Sequence, residues 1–182
     1  FFAISTTSDS GSAPIFENNT IANNASYGLY LGGNTDATKP ILTGNTFTAN
    51  GSYPLHLELL NFPTTLSGNT YTTNAIQAIE LLGGDTTNLI PNVTLPYDTL
   101  PYVVTTSLNI NTSGNPGTHT LTLAPGVRLQ FTANTGLAFG YSASYPGVLS
   151  APGTATQPIT FTTSNATPAP GQWNGLDFKG TT

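Results

Sequence analysis

Few side chains in this chain of 182 residues are of the types that transfer a proton near neutral pH or hold a metal ion. It has no Cys, two His and eight Asp+Glu. The pair that invites attention is His56 and Glu80, because their sequence surroundings match. Each is flanked by apolar residues on both sides, Leu55 and Leu57 for the first, Ile79 and Leu81 for the second. A His–carboxylate pair within reach can move a proton; on an exposed sheet face the same pair is an ordinary solvated cross-strand contact. The expectation is the solvated contact, with no catalytic role and no cofactor. Glu58 and Glu80 are the one carboxylate pair that could flank a glycosidic bond. Asp9, Asp36, Asp85, Asp98 and Asp177 are scattered through turn contexts and do not read as the six-oxygen set that calcium needs. His119 sits among threonines near a turn and reads as surface.

What would bring His56 and Glu80 together is an internal repeat. Three segments align on Asn19, Asn45 and Asn69, spaced by 26 and 24 residues. Three residues earlier stand Phe16, Leu42 and Leu66. Two residues later stand Ile21, Phe47 and Tyr71, and five later Asn24, Asn50 and Asn74. Ten later come Leu29, Leu55 and Ile79; twelve later come Leu31, Leu57 and Leu81. Tyr30, His56 and Glu80 fall in the column between. The local period is two, as in Thr46-Phe47-Thr48 and Leu55-His56-Leu57, which is the alternation of half-buried strands. No segment has helical apolar spacing. A repeat of about 24–26 residues with short strands and no helix predicts a coil of a β-solenoid, each strand paired with its equivalent one coil away, ~4.8 Å along the axis. The Leu and Ile columns become inward apolar ladders. The Asn columns are expected at the corners, where Asn tolerates left-handed backbone and bonds its neighbours side chain to side chain.

The stretch 91–117 breaks the pattern with Pro91, Pro96 and Pro101 and the turn-rich segment from Asn111 to Gly117. Proline blocks central strand pairing, so a connector is expected there, between coils over 1–90 and a second set over 118–182. That second set contains the alternating segment from Thr118 to Phe131 and strand-sized pieces around Leu137, Val148, Ile159 and Leu176.

Composition narrows function further. Charged residues are 6% of the chain, the net charge is −5, and polarity is carried by 33 Thr and 18 Asn. Lys39, Arg128 and Lys179 are too few to bind a phosphate backbone, so nucleic acid is not an expected partner. No apolar run approaches the ~18 residues of a membrane helix. The chain lacks Met and a visible signal peptide, so Phe1 reads as the start of a processed or excised piece. A neutral, Thr/Asn-rich, Cys-free composition suits an extracellular or cell-surface protein. Sequons at Asn18, Asn24, Asn50, Asn92, Asn111 and Asn165 permit glycosylation, at about the frequency that chance supplies. Outward Thr46, Thr48, Thr70 and Thr72 form a two-by-two hydroxyl patch of the type used for ice binding, interrupted by Ala22 in the first coil.

The segment SAPIFENNTIANNASYGLYL (Ser12 to Leu31) resembles coils of right-handed parallel β-helix repeat proteins, the pectate-lyase-like superfold. LTLAPGVRLQF, GVLSAPGTATQPITFTTS and PAPGQWNGLDF, in that order, resemble opening coils of β-helix regions in large secreted and surface-anchored bacterial proteins. The resemblance implies a right-handed parallel β-helix. It also implies a choice between a structural or adhesive module and a carbohydrate-active or carbohydrate-binding protein, because the superfold hosts both. The lyases of this superfold use clustered Asp and a basic residue; Arg128 has no acidic sequence neighbour, and no such constellation carries over. In such relatives the W-x-G-x-x-F coil precedes the N-N-T-I coils, whereas here it follows them. The order implies one unit of a tandem array or end-to-end filament, the partner being a further copy stacked coil on coil, with surface polysaccharide as a second partner class.

Overall fold

A computed structural model describes residues 5–6, 13–32, 39–83, 92–110, 117–140 and 145–179. The chain divides into two compact units, Phe1–Glu80 and Leu81–Thr182.

The first unit is built from three walls of parallel strands. One wall holds β2 (Ile15–Glu17), β5 (Ile41–Thr43) and β8 (Thr65–Ser67); the next holds β3 (Thr20–Ala22), β6 (Thr46–Thr48) and β9 (Thr70–Thr72). The third runs in the order β1 (Ser5–Thr6), β4 (Leu29–Leu31), β7 (Leu55–Glu58) and β10 (Ile79–Leu82). The registers are those of the sequence columns: Phe16 opposite Leu42 and Leu42 opposite Leu66, Ile21 opposite Phe47 and Phe47 opposite Tyr71, Leu29 opposite Leu55 and Leu31 opposite Leu57. Leu29, Leu31, Leu42, Phe47, Leu55, Leu57, Ile79 and Leu81 are fully buried, so the alternation of each strand separates core from surface. A 3₁₀ turn, Leu59–Asn61, follows β7.

The second unit repeats this plan with longer coils. Its walls are β11 (Val93–Leu95), β14 (His119–Leu123) and β17 (Gly147–Ser150); β12 (Tyr102–Val104), β15 (Arg128–Phe131) and β18 (Thr160–Thr163); and β13 (Leu108–Ile110), β16 (Leu137–Phe139) and β19 (Leu176–Phe178). All these pairings are parallel.

The expected connector over 91–117 is corrected here. Its described residues carry β11, β12 and β13, each paired in register with the next coil. Pro96 directly follows β11 and Pro101 directly precedes β12, so neither proline removes a ladder hydrogen bond; both act as corners. Pro91 and the segment 111–116, including the Asn111 sequon, lie outside the described residues, as do Asp9, Asp36 and Asp85.

A second correction concerns the corners. The left-handed residues are not the ladder asparagines but the residues before them: Asn18, Gly44 and Gly68 at one corner, and Asn23, Ala49 and Thr73 at the other. The bend therefore turns each following Asn inward, where its amide bridges coils instead of serving the turn itself.

Candidate functional site

The two asparagine ladders are directional. At the first corner the backbone N–H and Nδ2 of Asn19 donate to Oδ1 of Asn45 (3.0 and 3.3 Å), and those of Asn45 to Oδ1 of Asn69 (2.9 and 3.1 Å). At the second, Asn24 donates to Asn50 and Asn50 to Asn74, with amide bonds of 2.7 and 2.8 Å. The remaining amide hydrogens reach back to main-chain carbonyls: Asn45 to Phe16, Asn50 to Ile21, Asn69 to Leu42 and Asn74 to Phe47. The second ladder ends on Gln77, whose amide, assigned the orientation that puts its oxygen toward donors, accepts from the N–H groups of Asn74 and Thr73. Gln77 does for the last coil what the next Asn does for the others, a role the sequence columns did not reveal.

This geometry bears on the sequons. Asn50 is buried, and its amide is bonded on both sides. Asn24 donates into the same ladder. Asn92 is exposed, and its Oδ1 accepts from the N–H of Thr120 in the next coil. Asn18 is exposed at a left-handed corner, and Asn165 is exposed beyond β18. The Thr patch forms, but its hydroxyls bond one another, Thr46 with Thr70 (3.1 Å), Thr72 with Thr48 (2.9 Å) and Thr48 with Thr73 (3.2 Å).

The site of chemical interest lies on the outward side of β4, β7 and β10. Tyr30 stands opposite His56, and Nδ1 of His56 lies 2.5 Å from Oε2 of Glu80. With Glu80 ionised, Nδ1–H is the donor. The expectation of a solvated pair is corrected: His56 and Glu80 are 6% and 7% exposed. Tyrosines enclose them. The Tyr30 ring stacks on the imidazole at 4.3 Å between centroids, and Tyr27 tilts against it at 4.7 Å. Tyr53 stacks on Tyr27 at 6.3 Å. The Tyr30 hydroxyl donates to Oε1 of Glu58 (3.1 Å), and Tyr27 hydrogen-bonds to Glu80. Burial, followed by the Glu80 charge and hydrogen bond, pushes the Tyr27 phenol up to about 12. Burial and the neighbouring carboxylates also raise Tyr30 and Tyr53. Nε2 of His56 is buried and has no hydrogen-bond partner.

A buried His–carboxylate contact brings little net stability over an apolar pair of the same size, so core packing alone does not account for this cluster. Tyr27 and Tyr53, three residues before Tyr30 and His56, align one repeat apart in the sequence; that column reads equally well as mutual packing, which hides its role at the pair. Elsewhere, Arg128 is exposed and donates to the Thr99 carbonyl at 2.6 Å. Among the described residues, no group of three or more His, Cys, Asp or Glu is placed to hold a metal ion, and no helix is long and apolar enough to cross a membrane.

Stacked parallel coils with in-register ladders define a parallel β-solenoid. The family model for the right-handed beta helix region matches residues 4–95, half of the chain, and the chain belongs to that family. No curated protein and no solved structure matches it. The fold is hence a right-handed parallel β-helix, and membership by itself assigns neither an activity nor a binding partner.

Proposed function

We propose that this chain is a structural or adhesive extracellular β-solenoid module that joins end to end, as one unit of a tandem array or filament. The observation that carries this reading is the open core column of the second unit. Ile110, Phe139 and Phe178 occupy one inward register. The first two are 1% exposed, whereas Phe178 is 59% exposed, with one ring face on Phe139 at 5.0 Å. A core-type aromatic left half-covered among the described residues is a surface that a further coil would cover. The neutral Thr/Asn walls remove charge repulsion between coils, and the allocation of buried amides to ladders favours a stacking role. Sedimentation velocity tests the proposal. The wild-type chain is expected to self-associate with rising concentration, and Phe178→Asp to remain monomeric; a wild-type chain that stays monomeric at all concentrations refutes it.

A second reading, a carbohydrate-active or carbohydrate-binding β-helix, is favoured by the cluster of Tyr27, Tyr30, Tyr53, His56, Glu58 and Glu80. A glycan array gives the direct comparison: retention of a polysaccharide that is lost in Tyr53→Ala would move the assignment to this class.

A further inference from the structure

From the tyrosine-covered pair on β4, β7 and β10 we infer a binding site for a primary ammonium group, which goes beyond the structural role proposed above. Three kinds of group converge there. The rings of Tyr27, Tyr30 and Tyr53 present π faces and edges. Glu58 carries a carboxylate that is half-buried, with one oxygen receiving the Tyr30 hydroxyl. His56, its side chain 7% exposed, directs Nδ1 at Glu80 and keeps Nε2 without a partner.

In the neutral imidazole with Nδ1–H donating to Glu80, Nε2 is a bare lone pair, that is, an acceptor. Buried acceptors without partners are uncommon and mark missing ligands or strain. The ligand that completes this set must supply N–H donors and tolerate aromatic faces and a carboxylate together. An alkylammonium does all three: one N–H to Nε2, one to Glu58, and its charge against the tyrosine rings, an attraction that strengthens when desolvated. A single neutral hydroxyl has one hydrogen to give, to Nε2 or to the carboxylate, and leaves the carboxylate charge unmatched, and an anion is opposed by both glutamates. Nε2 is shielded from solvent, so entry requires a half-buried tyrosine, Tyr27 or Tyr30, to turn aside, a side-chain change of the usual kind on binding. The same chemistry is offered by a lysine side chain and by an amino sugar, and the two are separable by experiment.

The test uses the full chain with His56 followed by ¹⁵N NMR. Propylammonium chloride is titrated first, then Nα-acetyl-lysine amide and glucosamine, with 1-propanol and N-acetylglucosamine as uncharged controls. The expected result is saturable binding of propylammonium that moves the Nε2 resonance and weakens about tenfold in Glu58→Gln, while Glu17→Gln on the distant β2 binds as wild type. Glu58→Gln keeps an acceptor for the Tyr30 hydroxyl, so the fold survives the change. Stronger binding of the lysine derivative points to protein surfaces, and of glucosamine to amino-sugar polymers. Absence of saturation, equal binding of 1-propanol, or equal loss in Glu58→Gln and Glu17→Gln overturns the inference.

Discussion

Asn50 donates to Asn74 and to the Ile21 carbonyl while accepting from Asn24, all at a buried corner. Asn50→Ala orphans groups on two neighbouring coils, at ~1–3 kcal/mol for each buried unsatisfied group, so a loss of ~3 kcal/mol is expected in urea unfolding. Asn19 is exposed, and Asn19→Ala is expected to cost under ~1 kcal/mol; equal costs at the two positions would contradict the ladder account. Ala49 holds a left-handed corner at φ 53°, where a Cβ is strained and Gly is not. Ala49→Gly is therefore expected to stabilise by ~0.5–1 kcal/mol, checked in the same titration. At the tyrosine cluster, burial and then Glu80 push the Tyr27 phenol from 10.0 up to about 12. The unfolded chain thus releases this proton first on raising pH. Tyr27's contribution to stability is intact below about pH 10 and is lost as pH climbs from there towards 12. An absorbance titration at alkaline pH should show a late-ionising tyrosine that ionises earlier in Glu80→Gln; no late phase in wild type would remove the enclosed-pair description.

At the scale of the element, coil spacing is set where main chain meets main chain. A Cβ on Gly51 would lie 2.4 Å from the Ala25 carbonyl oxygen of the coil before. Because that atom is backbone, Gly51→Ala must push two coils apart, with an expected loss of ~1–3 kcal/mol, measurable as a lowered urea midpoint. The sequence made the first unit legible because each column repeats three times: Leu29 and Leu55, or Phe47 and Tyr71, cannot agree by accident at several offsets together. It was far less legible in the second unit. There the pairing offset between equivalent strands differs from wall to wall, from Tyr102 opposite Leu129 to Leu137 opposite Leu176, so no fixed period survives. The prolines misled for a related reason, since a proline one residue outside a strand looks the same in sequence as one inside it. The burial of His56 and Glu80 was illegible in principle. A period of two places both outward, and only the three-dimensional approach of Tyr27, Tyr30 and Tyr53 withdraws them from water.

At the scale of the whole molecule, the proposed end-to-end role depends on what meets the outermost coils. In the first unit the asparagine ladders bridge the coils, and in both units the apolar columns are sealed wherever a strand has neighbours on both sides. Phe178, stacked on Phe139 by one ring face and otherwise exposed, marks the surface on which that proposal rests. Electron microscopy of the wild-type chain across a concentration series is the measurement that tests this most directly. Filaments whose diffraction carries a ~4.8 Å repeat along the axis, the spacing of stacked parallel strands, are the predicted result. Uniform single particles at every concentration would contradict it.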